Sequence, residues 1–256
     1  MANPEDCLRL WTQALQAEAT GERATQEKRY LKSSLRFLGA TVPQIRAQVR
    51  SGMRAVTLAD PEWRWDREQV HDIVELCWKG DLHEHRAIGC QIVQFRAKAL
   101  QLPDLSWLES ILRNCGTWAY VDTLAVHGVG SIVARYPDES KAVLARWATD
   151  ADVWIARSAL LALLGAWRLD TPFDKAHFVA WSQPLLPRRE FWLRKAVGWV
   201  LREVAKQDPL WVQGFVQDHA ATISGLTRRE AERGVVMGLA RPSKGGARAA
   251  KKTKDQ

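Results

Sequence analysis

Apolar residues recur at helical spacing along almost the whole chain. They fall at i, i+3, i+4 and i+7, on one face of an α-helix, in "VHDIVELCWKG", "AIGCQIVQFRAKAL", "LESILRNCG", "RSALLALLGAW" and "KAVGWVLREVA". Prolines fall between these runs or at their starts, where helical proteins tolerate them. No alternating run and no Asn-Gly or Asp-Gly dipeptide indicates a β-hairpin. The pattern predicts an all-α protein with roughly a dozen helices of about 10–20 residues.

Three of these helices share a basic residue followed by an apolar run. They align on Arg86 in "EHRAIGCQIVQF", on Arg157 in "VWIARSALLALLGAW" and on Lys195 in "FWLRKAVGWVLREVA". Arg157 and Lys195 are 38 residues apart, whereas Arg86 and Arg157 are 71 residues apart, close to two periods of 36. The missing copy falls on "TWAYVDTLAVHGVG", where Asp122 lies 36 residues after Arg86 and 35 before Arg157.

The tryptophans upstream of these positions keep the same period. Trp118, Trp154 and Trp192 recur at intervals of 36 and 38 residues. A repeat of this length holds two antiparallel helices, which bury their apolar faces only by stacking on neighbouring repeats. We therefore expect a HEAT-like helical-repeat solenoid with a concave basic groove, forming one domain over residues 1–240. Chance similarity among amphipathic helices is the competing explanation of the spacing.

The net charge of +8 favours a polyanionic partner such as nucleic acid, but much of it comes from the C-terminus. The last sixteen residues, "RPSKGGARAAKKTKDQ", supply +5 and leave +3 for the rest of the chain. Residues 241–256 have no apolar periodicity and are predicted to form a disordered basic tail. Thirteen tryptophans are the more unusual feature of the composition.

Localisation and metal binding follow from what the sequence lacks. The N-terminal "MANPEDCLRLW" has no signal pattern, and no apolar run approaches the ~20 residues needed to span a bilayer, so we expect a cytoplasmic protein without membrane contact. The pair His83 and His85 points two rings in different directions on a helix. The cysteines are scattered, without CxxC or zinc-finger spacing. We therefore expect no metal, and nothing demands more than a monomer.

Equivalent positions of a solenoid line one surface, usually the concave one. That row contains Arg86, Asp122, Arg157 and Lys195, and Arg202 extends it because it lies three residues after Trp199 on the same helical face. Spaced cations suit a phosphodiester backbone, and interleaved tryptophans offer stacking surfaces for sugar and base. The alternative is that the arginines are solvated or form structural ion pairs.

Asp122 is the single acid in this row of bases. A carboxylate among cations keeps a low pKa, which makes it a poor general acid but a good fixed negative charge. Such a charge stabilises a sugar cation and orients an incoming water, and aromatic rings suit a cationic leaving group. The chemistry favoured is hydrolysis of an N-glycosidic bond. The alternative is that Asp122 is a solvated surface residue or a satisfied core acid.

Several segments resemble the AlkD-like DNA alkylation repair proteins, which are HEAT-like-repeat DNA glycosylases. The likeness covers about residues 5–240 and is carried by "YLKSSLRFLGATVPQIRAQVR", "TWAYVDTLA", "VWIARSALLAL" and "FWLRKAVGWVLREVAKQDP". It implies excision of positively charged alkylpurines, N3-alkyladenine and N7-alkylguanine, from double-stranded DNA in base excision repair. It also implies that no metal or cofactor takes part, and that the enzyme contacts the deoxyribose of the lesion without drawing the base into a deep pocket.

The same resemblance implies roles for individual residues. Asp122 corresponds to the catalytic carboxylate, and Trp118 and Trp199 flank the damaged nucleotide. Arg157 holds the adjacent backbone, and Arg202 contacts a phosphate. Trp192 competes with Trp199 for the aromatic role, because the segment before the last repeat is longer than expected.

Two other classes of protein remain open at this point. A non-catalytic DNA-binding solenoid has the same fold, since function depends on the site and not on the scaffold. Retention of both Trp118 and Asp122 argues for catalysis instead. A protein-interaction scaffold is the third class, and it predicts an apolar or acidic groove in place of a basic one.

Overall fold

Helices account for all the regular elements in residues 3–169 and 171–240, which are the residues that the computed structural model describes. In these ranges the β-structure is an isolated bridge between Arg36 and Leu82. The prediction of an all-α fold is therefore confirmed. The predicted tail, residues 241–256, lies outside the described residues.

The chain divides into two compact units, Met1–Phe178 and Val179–Gln256. The helices of the first unit are α1 Pro4–Glu18, α2 Gly21–Leu31, α3 Val42–Ala59, α4 Arg67–Lys79, α5 His83–Arg96, α6 Asp104–Arg113, α7 Trp118–Thr123, a π-helical segment Leu124–Val129, α8 Gly130–Arg135, α9 Lys141–Ala148 and α10 Val153–Trp167. Helix α11, Lys175–Ser182, crosses the boundary, and α12 Phe191–Ala205, α13 Pro209–Asp218 and α14 Gly225–Leu239 belong to the second unit. The prediction of one repeat domain over residues 1–240 stays a prediction.

Short polar side chains begin most of these helices. An N-cap oxygen accepts a hydrogen bond from a backbone N–H that has no partner within the helix. The capping residues are Asn3, Thr20, Thr41, Asp66, Thr117, Asp152, Asp208 and Ser224. These caps fix where the helices begin, including α7 and α10, which carry the residues of greatest interest.

One set of helices in the first unit forms a row in which each member packs against the corresponding helix of the next repeat. Helix α3 packs on α5, α5 on α7 and the π-helical segment, and that segment together with α8 packs on α10. This is the neighbour order expected for one layer of a helical repeat. The complete solenoid with its concave groove stays a prediction.

Side-chain contacts between neighbouring repeats recur at a separation of about one period. Such contacts join Arg67 to Asp104, His83 to Tyr120, Gln94 to His127, Arg113 to Asp150, Arg157 to Asp122, and Lys195 to Glu230. The partners in these pairs are separated by 33 to 37 residues. The 36-residue spacing in the sequence therefore corresponds to a physical repeat of contacts within each unit.

Two glycines let α10 approach the helix that follows Asp122. A Cβ on Gly130 would lie 2.7 Å from the Gly165 Cα, and a Cβ on Gly165 would lie 2.1 Å from the carbonyl oxygen of Val126. The neighbouring atoms belong to the backbone, so they cannot rotate away. This close contact sets the distance between the helices that carry Asp122 and Arg157.

We expect Gly165→Ala to lower the free energy of unfolding by about 1–3 kcal/mol, because it overpacks a backbone contact. Gly21→Ala is the matched control, since nothing lies within 4 Å of a Cβ at that position. Chemical unfolding followed by circular dichroism measures both variants. Equal unfolding midpoints for the two would contradict the tight approach.

Candidate active site

Helix α7 begins directly after a sharp turn and carries two partly exposed side chains of interest. Gly116 has a φ of +67° in this turn, a conformation that favours glycine. The Thr117 hydroxyl then accepts a hydrogen bond from the Ala119 N–H at 3.5 Å and caps the helix. Trp118 and Asp122 lie one turn apart on the same side of the helix, and both are partly exposed.

The Asp122 carboxylate is held by a bidentate ion pair with Arg157. Arg157 Nε donates to Oδ1 at 2.7 Å, and Nη2 donates to Oδ2 at 2.9 Å. The Asp122 side chain is 18% exposed, whereas that of Arg157 is 3% exposed. Two parallel charge-assisted hydrogen bonds fix the plane of a carboxylate as well as its position. Asp122 is therefore a rigid anion at the protein surface, supported from beneath by a buried cation.

The burial of Arg157 follows from the composition of α10. Every residue from Ile155 to Ala166 is buried, and Arg157 is the charged residue of this helix. A helix that is apolar on all sides lies inside the protein, and a buried cation requires a carboxylate partner. Asp122, one repeat earlier in the chain, supplies it.

The backbone changes its hydrogen-bond pattern immediately after the Asp122 turn. Residues Leu124–Val129 are π-helical, and α8 continues from Gly130. Single π-helical turns often occur at functional sites. After Thr123, the next partly exposed residue is His127, whose Nε2 lies 3.1 Å from Gln94 Nε2. The π-helical turn therefore makes His127 the next side chain that reaches solvent after Thr123.

Trp118 lies beside a small cavity of about 180 Å³. Its ring meets the ring of Tyr30 edge-on, with centroids 6.1 Å apart. His83 closes the inner side of the cavity, and its Nδ1 lies 2.6 Å from the Tyr120 hydroxyl oxygen. Burial lowers the pKa of His83 to about 4, so the ring is neutral at pH 7. His85 contacts the Thr12 hydroxyl instead, at 2.9 Å, so the two histidines have separate structural partners.

Arg86 lies on α5 and contacts residues of the preceding and following helices. Its Nη1 donates to the carbonyl oxygen of Asn114 at 3.0 Å, and its guanidinium carbon lies 6.0 Å from the ring of Trp78. Its Nε is buried. This geometry leaves part of the guanidinium accessible, and the predicted contact between Arg86 and DNA stays a prediction.

Lys195 and Arg202 share one carboxylate in the second unit. Lys195 Nζ lies 2.7 Å from Glu230 Oε1, and Arg202 Nη1 donates to Oε2 of the same residue. Burial opposes ionisation of Glu230, but the two cations outweigh burial, so its pKa is lowered. Gly198 permits the approach, since a Cβ there would lie 2.9 Å from the Glu230 Cβ. The Glu230 carboxylate thus compensates one of the two positive charges, and Arg202 Nε also lies 3.7 Å from Glu203 Oε1.

Trp199 lies on α12 and is partly exposed. Trp192, its competitor, lies in the first turn of the same helix and packs edge-on against Phe191 with centroids 4.9 Å apart. Both tryptophans belong to the second unit, whereas Trp118 and Asp122 belong to the first. That Trp118 and Trp199 flank one nucleotide stays a prediction.

The structure adds Glu230 to the candidate residues, which the sequence reasoning missed. Glu230 follows Lys195 by 35 residues, the same interval that separates Asp122 from Arg157. A search for opposite charges one period apart therefore identifies both ion pairs. The search for equivalent positions places Asp122 in the row with the cations but passes over Glu230.

The described residues thus form a helical protein with a rigid carboxylate beside a partly exposed tryptophan. The family model of the DNA alkylation repair enzyme matches residues 11–234. Because this range covers most of the 256 residues, the chain belongs to the DNA alkylation repair enzyme family. The family supports a role in DNA repair and an enzymatic activity.

Among solved structures, the chain is similar to "Predicted DNA alkylation repair enzyme from Enterococcus faecalis.". The TM-score is 0.71 at 21% sequence identity, and the match covers 88% of this chain and 98% of that chain. At this identity the likeness supports the helical fold alone. A comparison with curated proteins finds no match. No helix in the described residues is both long and apolar enough to cross a membrane.

Proposed function

We propose that the protein is a monofunctional DNA glycosylase that excises positively charged alkylpurines from double-stranded DNA. The substrates are N3-alkyladenine and N7-alkylguanine nucleotides, and the protein acts as a monomer without metal or cofactor. The observation that carries the proposal is the rigid Asp122 carboxylate beside Trp118 in a chain of the DNA alkylation repair enzyme family. The family supports the repair role, and the carboxylate supplies a group suited to the reaction.

The reaction breaks the bond between C1′ of the deoxyribose and a purine nitrogen. The bonding electrons leave with the purine, which loses its positive charge and departs as a neutral base. Positive charge develops on the sugar, and the Asp122 carboxylate stabilises it. A water oxygen then bonds to C1′ and releases a proton to solvent, which leaves an abasic sugar.

The ion pair with Arg157 leaves Asp122 able to take part. A carboxylate has about four lone-pair positions, and Arg157 uses one on each oxygen. The remaining positions accept a hydrogen bond from the attacking water and face the developing cation. Because the carboxylate is already fixed, no reorganisation is required in the transition state. We accordingly assign Arg157 as a positioning residue in addition to its expected role near the DNA backbone.

The aromatic residues complete the proposed site. Cationic purines are attracted to the faces of tryptophan rings by cation–π interactions. Trp118 and Trp199 flank the damaged nucleotide in this proposal. Attraction to the substrate is lost once the base leaves as a neutral molecule, which favours product release.

We expect the protein to release free alkylpurine from methylated duplex DNA, and chromatography of the released bases measures it. Unmethylated duplex is the control, and EDTA should leave the rate unchanged because no metal takes part. Duplex binding without base release would instead assign the protein to the non-catalytic DNA-binding class. The absence of both binding and release would favour an interaction scaffold.

A further inference from the structure

Several cations expected to meet DNA are already engaged with acids of the protein. Arg157 is paired with Asp122, and Lys195 and Arg202 are paired with Glu230. A cation paired in this way contributes less counterion release on binding a phosphate, because its charge is already compensated in full or in part. Unpaired cations are therefore better suited to the electrostatic contact with a DNA backbone.

Helix α3 carries three arginines on one face. Arg46, Arg50 and Arg54 are exposed and follow one another at intervals of four residues, which is a rise of about 6 Å per step. The sequence of α3, "VPQIRAQVRSGMRAVTLA", contains no acid. Within the described part of the chain, none of the three arginines forms an ion pair. Their charge is available to a partner.

This arrangement is unfavourable for the isolated helix. Like charges four residues apart destabilise a helix by about 0.2–0.5 kcal/mol per pair, and α3 contains two such pairs. Phe95 of the neighbouring helix α5 offsets part of the repulsion, because the guanidinium groups of Arg46 and Arg50 lie 5.8 Å and 5.2 Å from its ring centroid. The ring also holds both groups on the side of α3 that faces α5.

Arg46, Arg50 and Arg54 line a groove of about 540 Å³ on α3, and Phe95, which contacts two of them, also lines a second, larger groove. Phe95, Lys98, His127 and Arg168 line this groove of about 900 Å³, which extends from α5 to the end of α10. Burial lowers the pKa of His127, and the charges of Arg168 and Arg46 lower it further. His127 thus lies within electrostatic range of both arginines, and Phe95 connects the α3 face to this second groove.

We infer that Arg46, Arg50 and Arg54 of α3 bind the phosphodiester backbone of duplex DNA. The inference rests on the proposed function, since that function supplies duplex DNA as the ligand. Three exposed guanidinium groups at regular spacing suit successive phosphates of one strand, and the groove beside Phe95 gives the duplex room to lie against α5. These contacts position the duplex without reading its sequence.

The salt dependence of binding tests the inference. Binding of a fluorescent undamaged duplex is measured between about 50 mM and 200 mM salt, and log K is plotted against log salt concentration. We expect the triple variant Arg46→Gln/Arg50→Gln/Arg54→Gln to reduce the magnitude of the slope by about 2.7, since each phosphate contact contributes about 0.9. Circular dichroism checks that the variant is folded.

A matched control separates local contacts from net charge. The variant Lys79→Gln/Arg189→Gln/Arg229→Gln removes three exposed cations from α4, from the segment before α12 and from α14 and should keep the slope of the wild type. Within the described residues these three cations also form no ion pair, so they match the arginines of α3. Equal slopes for the α3 variant and the wild type, or equal losses in both triple variants, would overturn the inference.

The same experiment distinguishes failure of the inference from failure of the proposed function. If the wild type binds duplex and releases alkylpurine while the α3 variant keeps its slope, the inference alone is wrong. If the wild type binds no duplex, both are wrong.

Discussion

Asp122→Asn should lower the rate of alkylpurine release by a factor on the order of 10²–10³, the range for loss of one preorganised electrostatic group. The substitution keeps the size of the side chain and removes the charge that stabilises the sugar cation. Duplex binding should remain, because the cations of α3 are untouched. Single-turnover release from methylated duplex measures the effect on the chemical step.

The buried partner of Asp122 makes a control for folding necessary. Asparagine cannot accept hydrogen bonds at both terminal atoms, so Arg157 keeps its charge but loses a bidentate partner. A lost rate has to be separated from a lost fold. Asp72→Asn is the matched control, since this carboxylate is exposed on α4 and should leave release unchanged. Equal rates for wild type and a folded Asp122→Asn protein would refute Asp122 as the catalytic carboxylate.

Much of the fold follows from spacing in the sequence. The helical periodicity correctly predicts an all-α protein, and the 36-residue interval reappears as contacts between neighbouring repeats. The interval places Asp122 and Arg157 at equivalent positions of adjacent helices. Because equivalent positions of neighbouring helices are close in space, an acid and a base there form a pair. The row of separate charges expected from the sequence thus contains an internal salt bridge.

Other features of the site depend on packing and have no signal in the sequence. The π-helical segment Leu124–Val129 has no distinctive sequence, and its hydrogen-bond pattern depends on its packing against α5, α6 and α10. The burial of the Arg157 side chain likewise depends on the helices that pack around α10. In contrast, the four-residue spacing of Arg46, Arg50 and Arg54 is visible in the sequence. Their lack of acidic partners becomes evident only when the surrounding helices are placed.

The Asp122–Arg157 pair should also have a large and unequal effect on stability. Removing one partner of a buried ion pair costs about 3–5 kcal/mol, because the other charge stays buried without compensation. Asp122→Asn leaves Arg157, which is 3% exposed, whereas Arg157→Met leaves Asp122, which is 18% exposed and keeps contact with water. We therefore expect Asp122→Asn to lower the free energy of unfolding by about 3 kcal/mol, and Arg157→Met to lower it less.

The double variant Asp122→Asn/Arg157→Met completes this comparison. Replacing a buried ion pair by hydrophobic residues of similar volume is often neutral or stabilising. Here the buried cation is replaced by methionine, and the amide at position 122 keeps contact with water because that side chain is 18% exposed. The double variant should accordingly recover most of the stability that Asp122→Asn loses, and urea unfolding of all four proteins measures it. Additive losses in the double variant would mean that the two residues are not coupled. Recovery of stability without recovery of alkylpurine release would separate the two roles of Asp122. The carboxylate would then be required for the chemical step independently of its role in neutralising the buried Arg157.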